Sequence, residues 1–155
     1  MRVIVCSDSH GRADLLQQAV TRYPVDVIVH LGDHRWDIEK IDLPDGVQVV
    51  AVQGNCDSLQ ADEKLLELEG KKVFITHGHR YGVKSSLTAL KLRMKELGAD
   101  IVLYGHTHVP GYEFYGSGLL VNPGALCGNR TNRQAGFAYL EWKNGGQVYI
   151  QMTEV

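Results

Sequence analysis

The 155-residue sequence predicts an α/β fold, with a parallel-type portion in its first two-thirds and an antiparallel portion in its last third. Three observations carry this. Short apolar runs rich in Val and Ile lie at 3–6, 25–31, 47–52, 72–76 and 101–104, and such uninterrupted runs fit strands covered on both faces. Helical patterns separate some of these runs, and strand–helix alternation argues for parallel pairing. The segments 111–124 and 136–150 instead read as hairpins.

Taken in order, the first run is followed by an amphipathic helix. Leu15, Leu16, Ala19, Val20 and Tyr23 share its buried face, and Pro24 follows its end. After the second run, Trp36 and Ile38 suggest a partly apolar flap. Residues 63–76 read as a hairpin turning at Glu69-Gly70-Lys71. A second helix is predicted over about 83–97, with Val83, Leu87, Leu90, Met94 and Leu97 on one stripe and Gly98 at its C-terminus. Basic residues between Arg80 and Lys95 alternate with these leucines, which fits a solvated helix face. The last hairpin is expected to turn at Asn144-Gly145-Gly146, and the aromatics Phe114, Tyr115, Tyr139 and Trp142 are expected to pack on sheets. No linker interrupts the pattern, so 1–155 is predicted to be a single domain.

Composition narrows the function classes. The chain is 44% hydrophobic and 22% charged with a formal charge of −2, which gives no electrostatic case for nucleic acid or a membrane surface. No run approaches transmembrane length, and the start, Met1 to Cys6, turns polar at Ser7-Asp8, too soon for a signal-peptide core. Cys6, Cys56 and Cys127 are odd in number and lack C-x-x-C spacing, so a reducing, cytoplasmic setting is expected. Neither nucleotide-binding glycine motif is present.

The apolar runs share one kind of ending. "VIVCSDSH" delivers Asp8 and His10, "VIVHLGD" delivers Asp33, "VVAVQGNCD" delivers Asn55, "VFITHGH" delivers His77, and "IVLYGHTH" delivers His106 and His108. Parallel strands open their carboxyl ends onto one crevice, so these seven donors are expected to meet there. Seven donors exceed what one ion takes from protein, and two ions sharing a carboxylate suit the number better. Carboxylate and imidazole without thiolate point to Mn, Fe, Zn or Ni.

The ordered set Asp8-x-His10, Gly32-Asp33, Gly54-Asn55, His77-Gly78-His79 and Gly105-His106-Thr107-His108 resembles the calcineurin-like metallophosphoesterases. "GNCD" and the closing "NPG" at 122–124 look most similar to the small prokaryotic phosphodiesterase branch, which is Vps29-like. The resemblance implies a two-sheet αββα sandwich with a dinuclear metal site at the C-terminal ends of the strands. It implies that Asp8, His10 and His108 hold one ion, that Asn55, His77 and His106 hold the other, and that Asp33 bridges them. The implied cofactors are two divalent transition metal ions, manganese foremost, with iron, zinc or nickel as alternatives. The implied activity is hydrolysis of phosphodiester bonds in a small-molecule phosphoester by a bridging metal-bound hydroxide. A homo-oligomer is left open.

One departure bears on mechanism. Many family members place a histidine directly after the metal-binding asparagine, where it contacts the phosphate; this chain has Cys56. A thiol replaces an imidazolium poorly, so His79 and Asp57 become the candidates to protonate the leaving group, and esters with good leaving groups should be preferred. Arg130 and Arg133 fit an exposed loop better than a phosphate clamp, Ser7 and Ser9 fit turns, and Ala125 stands where the branch often has serine. His30 fits the core or a place behind the ligands, and His34 fits the cleft or the exterior equally. Two alternatives remain: a phosphomonoesterase or nucleotidase, and a non-catalytic Vps29-like scaffold, against which all seven positions carry competent donors.

Overall fold

Period-2 alternation along the apolar strands sorts their side chains into layers. In the computed structural model, which describes residues 1–58, 61–128, 134–143 and 146–155, strand β1 (Arg2–Cys6) turns Val3 and Val5 to one side and Ile4 and Cys6 to the other. Val3 and Val5 join Val27 and Val29 of β2 (Val27–His30), Val73 and Ile75 of β5 (Lys71–Thr76) and Ile101 and Leu103 of β6 (Ile101–Tyr104) in a core between two sheets. Ile4 and Cys6 instead meet Leu15, Leu16, Ala19 and Val20 of helix α1 (Ala13–Arg22). On the far side, Phe74, Val102 and Tyr104 pack against Leu90 and Met94 of helix α2 (Thr88–Leu97). The layers therefore run α1, sheet, sheet, α2, the expected sandwich. Each fully buried Leu, Ile or Phe of these layers contributes about 1.5–3 kcal/mol of transfer free energy.

One sheet has the order β10-β9-β1-β2-β3, where β3 is Gln48–Ala51, β9 is Gly136–Lys143 and β10 is Gln147–Glu154. The other has the order β4-β5-β6-β8-β7, with β4 at Glu63–Leu68, β7 at Gly111–Tyr115 and β8 at Gly118–Asn122. Each sheet holds a parallel trio, β1–β2–β3 and β5–β6–β8, with antiparallel neighbours outside it. Register keeps strand ends level: Cys6 pairs with His30, His30 with Ala51, and Thr76 with Tyr104. The loops that continue these strands therefore leave their sheet at the same height.

The three expected hairpins are present as β4–β5, β7–β8 and β9–β10. Glu69 (φ 49°) and Gly70 (φ 74°) form the two-residue turn of the first, the left-handed geometry that a twisted hairpin favours. Asn144 and Gly145 lie outside the described residues. Three expectations need correcting. Helix α2 starts at Thr88, not near 83, because the Ser86 hydroxyl accepts the Thr88 N–H at 3.0 Å and ends the chain of turns before it. Ile38 is buried under α1 within a 3-10 turn over Arg35–Lys40, so this segment is not an apolar flap. Phe114 is 72% exposed: its strand β7 is a sheet edge, and only Tyr115 beside it packs toward α2. Among the described residues no helix is long and apolar enough to cross a membrane.

His30 ends β2 fully buried. Its Nδ1 accepts the Gly32 N–H at 3.1 Å, and its Nε2 lies 3.2 Å from the Ser9 hydroxyl, which donates to Asp37 at 2.8 Å. A neutral ring protonated on Nε2 satisfies this arrangement, and burial pushes the imidazole down from 6.5 to about 4. The unfolded chain takes up a proton near 6.5 that the folded chain refuses until about 4, so this contribution is full above 6.5 and is lost on acidification. Between about pH 7.5 and about pH 5 it should remove about 2 kcal/mol of stability. Urea unfolding of wild type and His30→Asn at both pH values should show a shallower dependence in the variant, and equal slopes would refute the assignment.

Candidate metal centre

The carboxyl ends of both parallel trios open at one junction between the sheets, where the sequence suggested a crevice in one sheet. The loops that leave β1, β2 and β3 bring Asp8, His10, Asp33 and Asn55; those after β5 and β6 bring His77, His106 and His108. Backbone bonds stitch the loops together: Asp8 N–H to Gly32 O at 2.9 Å, Ser9 N–H to Asp33 O at 3.2 Å, and Gly105 N–H to His77 O at 3.0 Å. Asn122, the first residue of "NPG", donates through Nδ2 to Gly105 O and to Thr107 Oγ1, both at 3.0 Å. Thr107 is thereby tied to the β8 loop while His106 and His108 on either side of it reach the junction.

The loops are bent hard to do this. Asp8, His10, Asp33, His34, His106 and His108 all adopt left-handed backbone, with φ between 41° and 68°. Each such residue costs of order 1–3 kcal/mol, and their clustering marks a functional site. Glycine is required where loops touch: a Cβ on Gly54 would lie 2.1 Å from Asp33 Oδ1, and one on Gly105 would lie 2.0 Å from Ser7 Oγ.

All seven donors converge. His77 Nδ1 donates to Leu31 O at 2.8 Å, so the neutral ring turns an unprotonated Nε2 into the junction. That lone pair faces Asn55 Oδ1 at 3.2 Å, Asp33 Oδ2 at 3.6 Å, Asp8 Oδ1 at 4.0 Å and His106 Nδ1 at 3.1 Å. Only His106 can supply a proton among these atoms. On the other side His10 Nε2 lies 3.7 Å from Asp33 Oδ2, and His108 Nε2 lies 2.9 Å from Asp8 Oδ1. Asp8 and His77 are fully buried and Asp33 nearly so, with Asp8 Oδ1 held between His108 Nε2 at 2.9 Å and His77 Nε2 at 4.0 Å. Donor atoms about 2.1 Å from a shared ion stand roughly 3.0–3.4 Å apart, close to the spacing here. Buried acceptors facing acceptors fit a divalent cation and little else.

A family model described as the calcineurin-like phosphoesterase superfamily domain matches residues 1–145. The chain belongs to this superfamily. Its activity class is that of a metal-dependent phosphoesterase. The probable metallophosphoesterase YsnB of Bacillus subtilis is 36% identical over 148 residues, covering 93% of this chain and 86% of its own. The phosphodiesterase YfcE of Escherichia coli K12 is 28% identical, covering 91% of this chain and 88% of its own. Wild-type Vps29 of Entamoeba histolytica complexed with zinc superposes with a TM-score of 0.73 at 20% identity, covering 99% of each chain.

Electrostatics of this calcineurin-like centre follow from crowding. Burial alone would raise the Asp8 carboxyl, but hydrogen bonds from His108 and Ser7 hold it at about 2. The Asp8 hydrogen bond pushes His108 up to about 10, whereas burial pushes His106 down to about 4. His79 stands at the rim with its ring 5.4 Å from that of His77; burial lowers it, and its Nδ1 is buried with no hydrogen-bond partner among the described residues. Burial, with Asp33 next, raises the exposed Cys56 thiol.

Asp57 occupies a different place from the one expected. Its carboxylate accepts the N–H groups of Asp33 at 2.8 Å, Gly54 at 2.8 Å and His34 at 2.9 Å, with Arg35 N at 3.4 Å. With both oxygens engaged by backbone, Asp57 buckles the β2 and β3 loops together and has no free edge to offer a leaving group. His34 lines the cleft, its ring 4.9 Å from that of His10 and 4.8 Å from that of Trp36. Arg130 and Arg133 lie outside the described residues. Sequence reasoning missed Cys127, whose donor atom lies within 4.8 Å of those of His10 and His108. Its signal was available: the run Leu119-Leu120-Val121 also ends in polar residues, and it is the last member of the second parallel trio.

Gly105→Ala tests the close approach of the loops. The added methyl should lower the unfolding free energy by about 1–3 kcal/mol in urea and reduce metal bound per chain. Unchanged stability and metal content would show that the Ser7 contact is not a constraint.

Proposed function

We propose that the chain is a metal-dependent phosphodiesterase, acting as a single domain on small-molecule phosphoesters. The unprotonated His77 Nε2 facing Asn55, Asp33 and His106 carries this reading, because it defines a cation position lined by hard and borderline donors. The name of the relative YfcE, a phosphodiesterase, supports the diester preference. Asp8, His10 and His108 would hold one ion and Asn55, His77 and His106 the other, with Asp33 shared, since its Oδ2 faces both His10 and His77. Bound cations would supply Lewis-acid polarisation of the phosphoryl oxygens and an acidified water nucleophile.

The chain's own groups position and orient. Asp33 Oδ1 accepts the Cys56 N–H at 2.8 Å, which aims Oδ2 at the junction. Cys56 leaves the place beside Asn55 without an imidazolium, Asp57 is consumed by backbone, and His79 and His34 are the imidazoles left at the edge of the cleft. Leaving-group protonation is therefore the weak part of the machinery, and esters that need little of it are favoured. A non-catalytic scaffold role is disfavoured by the seven donor side chains that meet at the junction.

Metal-free protein reconstituted with Mn, Fe, Zn or Ni and assayed on matched panels tests this. Activated aryl diesters should be cleaved faster than alkyl monoesters by roughly 100-fold, the lower end of what a general acid contributes. Equal or faster alkyl monoester hydrolysis would overturn the assignment. Asp33→Asn should lose at least ~100-fold in rate together with bound metal. Cys56→His should raise the rate on alkyl esters more than on aryl esters.

A further inference from the structure

The segment just past Asp33 carries two aromatic rings, His34 and Trp36, that the metal-centre reading does not use, and both side chains are half-buried. Rings stand in file leading away from the donors: His108 to His10 is 5.9 Å between centroids, His10 to His34 is 4.9 Å, and His34 to Trp36 is 4.8 Å. These spacings lie in the range over which aromatic rings attract one another. The backbone beneath the last two rings is held on both sides. Asp57 accepts the His34 N–H at 2.9 Å, and Asp37 N–H donates to His34 O at 2.9 Å. The buried Asp37 carboxylate accepts the Gly11 N–H at 2.7 Å and the Ser9 hydroxyl at 2.8 Å, and Ile38 is sunk in the core beneath α1. His34 itself is held at φ 64°, a strained left-handed conformation that surrounding contacts must enforce. Asp37 and Ile38 do the anchoring, so the Trp36 indole keeps apolar surface beside the cleft for a ligand.

We propose that Trp36, continued toward the centre by His34, is a stacking platform that selects phosphoesters bearing a planar aromatic group, a nucleobase or an aryl ring. The inference rests on the phosphoesterase reading above and deepens it by naming the substrate class. His10 belongs both to the donor set and to the file of rings, so a phosphoryl group at the donors and a ring on Trp36 can belong to one small molecule. Stacking tolerates different rings because each presents a π-face. A backbone already fixed before the ligand arrives loses little freedom on binding, which leaves more of the contact as affinity. This selection acts on binding, whereas the weak leaving-group protonation argued above acts on rate, so the two contribute separately to any preference for aryl esters.

The test titrates the zinc-loaded full chain, by calorimetry, with ligand pairs that differ by the ring: phenylphosphonate against methylphosphonate, and adenosine monophosphate against ribose monophosphate. The chain has two tryptophans, and Trp142 is only 6% exposed in the core between the sheets, so quenching of indole fluorescence reports on Trp36. Wild type should bind the ring-bearing member about 10-fold more tightly than its partner in at least one pair, with quenching. A gain in the adenosine pair alone identifies a nucleobase site, a gain in the phenyl pair alone an aryl site, and a gain in both a site for either ring. Trp36→Ala should abolish the ratio and Trp36→Phe should keep most of it, with circular dichroism and zinc per chain confirming that each variant is folded and loaded. Merely structural damage would weaken both members of a pair and leave their ratio standing. Equal affinities within both pairs, or a ratio that survives Trp36→Ala, would overturn the platform. Failure of all four ligands to bind the zinc-loaded chain would overturn the phosphoesterase reading beneath it.

Discussion

Two carboxylates and four imidazoles meet where the sheets join, and their lone pairs face one another at 3–4 Å in a place that water does not reach freely. Desolvated acceptors of this kind repel, and carboxylates in particular resist losing water without a counter-charge. Positive charge between them is the interaction on which the rest of the structure depends. Protons supply part of it, as the opposite displacements of Asp8 and His108 show. Divalent cations supply it more completely, and any that bind only the folded chain add to its stability by mass action.

The framework holds the donors in place against that repulsion. Six left-handed residues at the loops store strain that the double-layered apolar core offsets. Side chains outside the donor set do the bracing. Asn122 clamps the loop after β6, and the Ser9–His30–Asp37 chain braces the loops after β1 and β2 from behind. Their polar groups are satisfied by one another, so they can be buried close to the centre without competing for the ions.

Much of this was legible in the sequence because strands covered on both faces leave an unmistakable apolar run, and the donors stand at the ends of those runs. Val3 to Cys6 and Ile101 to Tyr104 emerge as β1 and β6 with their following donors at the junction. The hidden part depended on contacts between distant loops. Asp57 looked like a free acid until its oxygens were seen to receive N–H groups from residues more than twenty positions away. Cys127 was not singled out because nothing local announces that its loop hydrogen-bonds to the loop after β1. Phe114 shows the reverse error: an aromatic in a strand pattern says nothing about whether that strand is central or an edge.

The placement of Asp57 has its origin in sheet order. Asp8 and His10 come after β1, which is flanked by β9 and β2, and Asp33 comes after β2, which is flanked by β1 and β3. Asn55 comes after β3, an edge strand with pairing on one side only, and it sits in an exposed turn. An edge strand holds its succeeding loop less firmly than a central one, since half its backbone groups lack a neighbouring strand. Asp57 compensates by binding the β3 loop to the backbone of the β2 loop, two residues past the donor it steadies. Gly54 lets the loops come close enough for this, since any side chain there would collide with Asp33. The donor with the least support from its own sheet is thus the one given a dedicated side chain to hold it, and that carboxylate is thereby withdrawn from the chemistry.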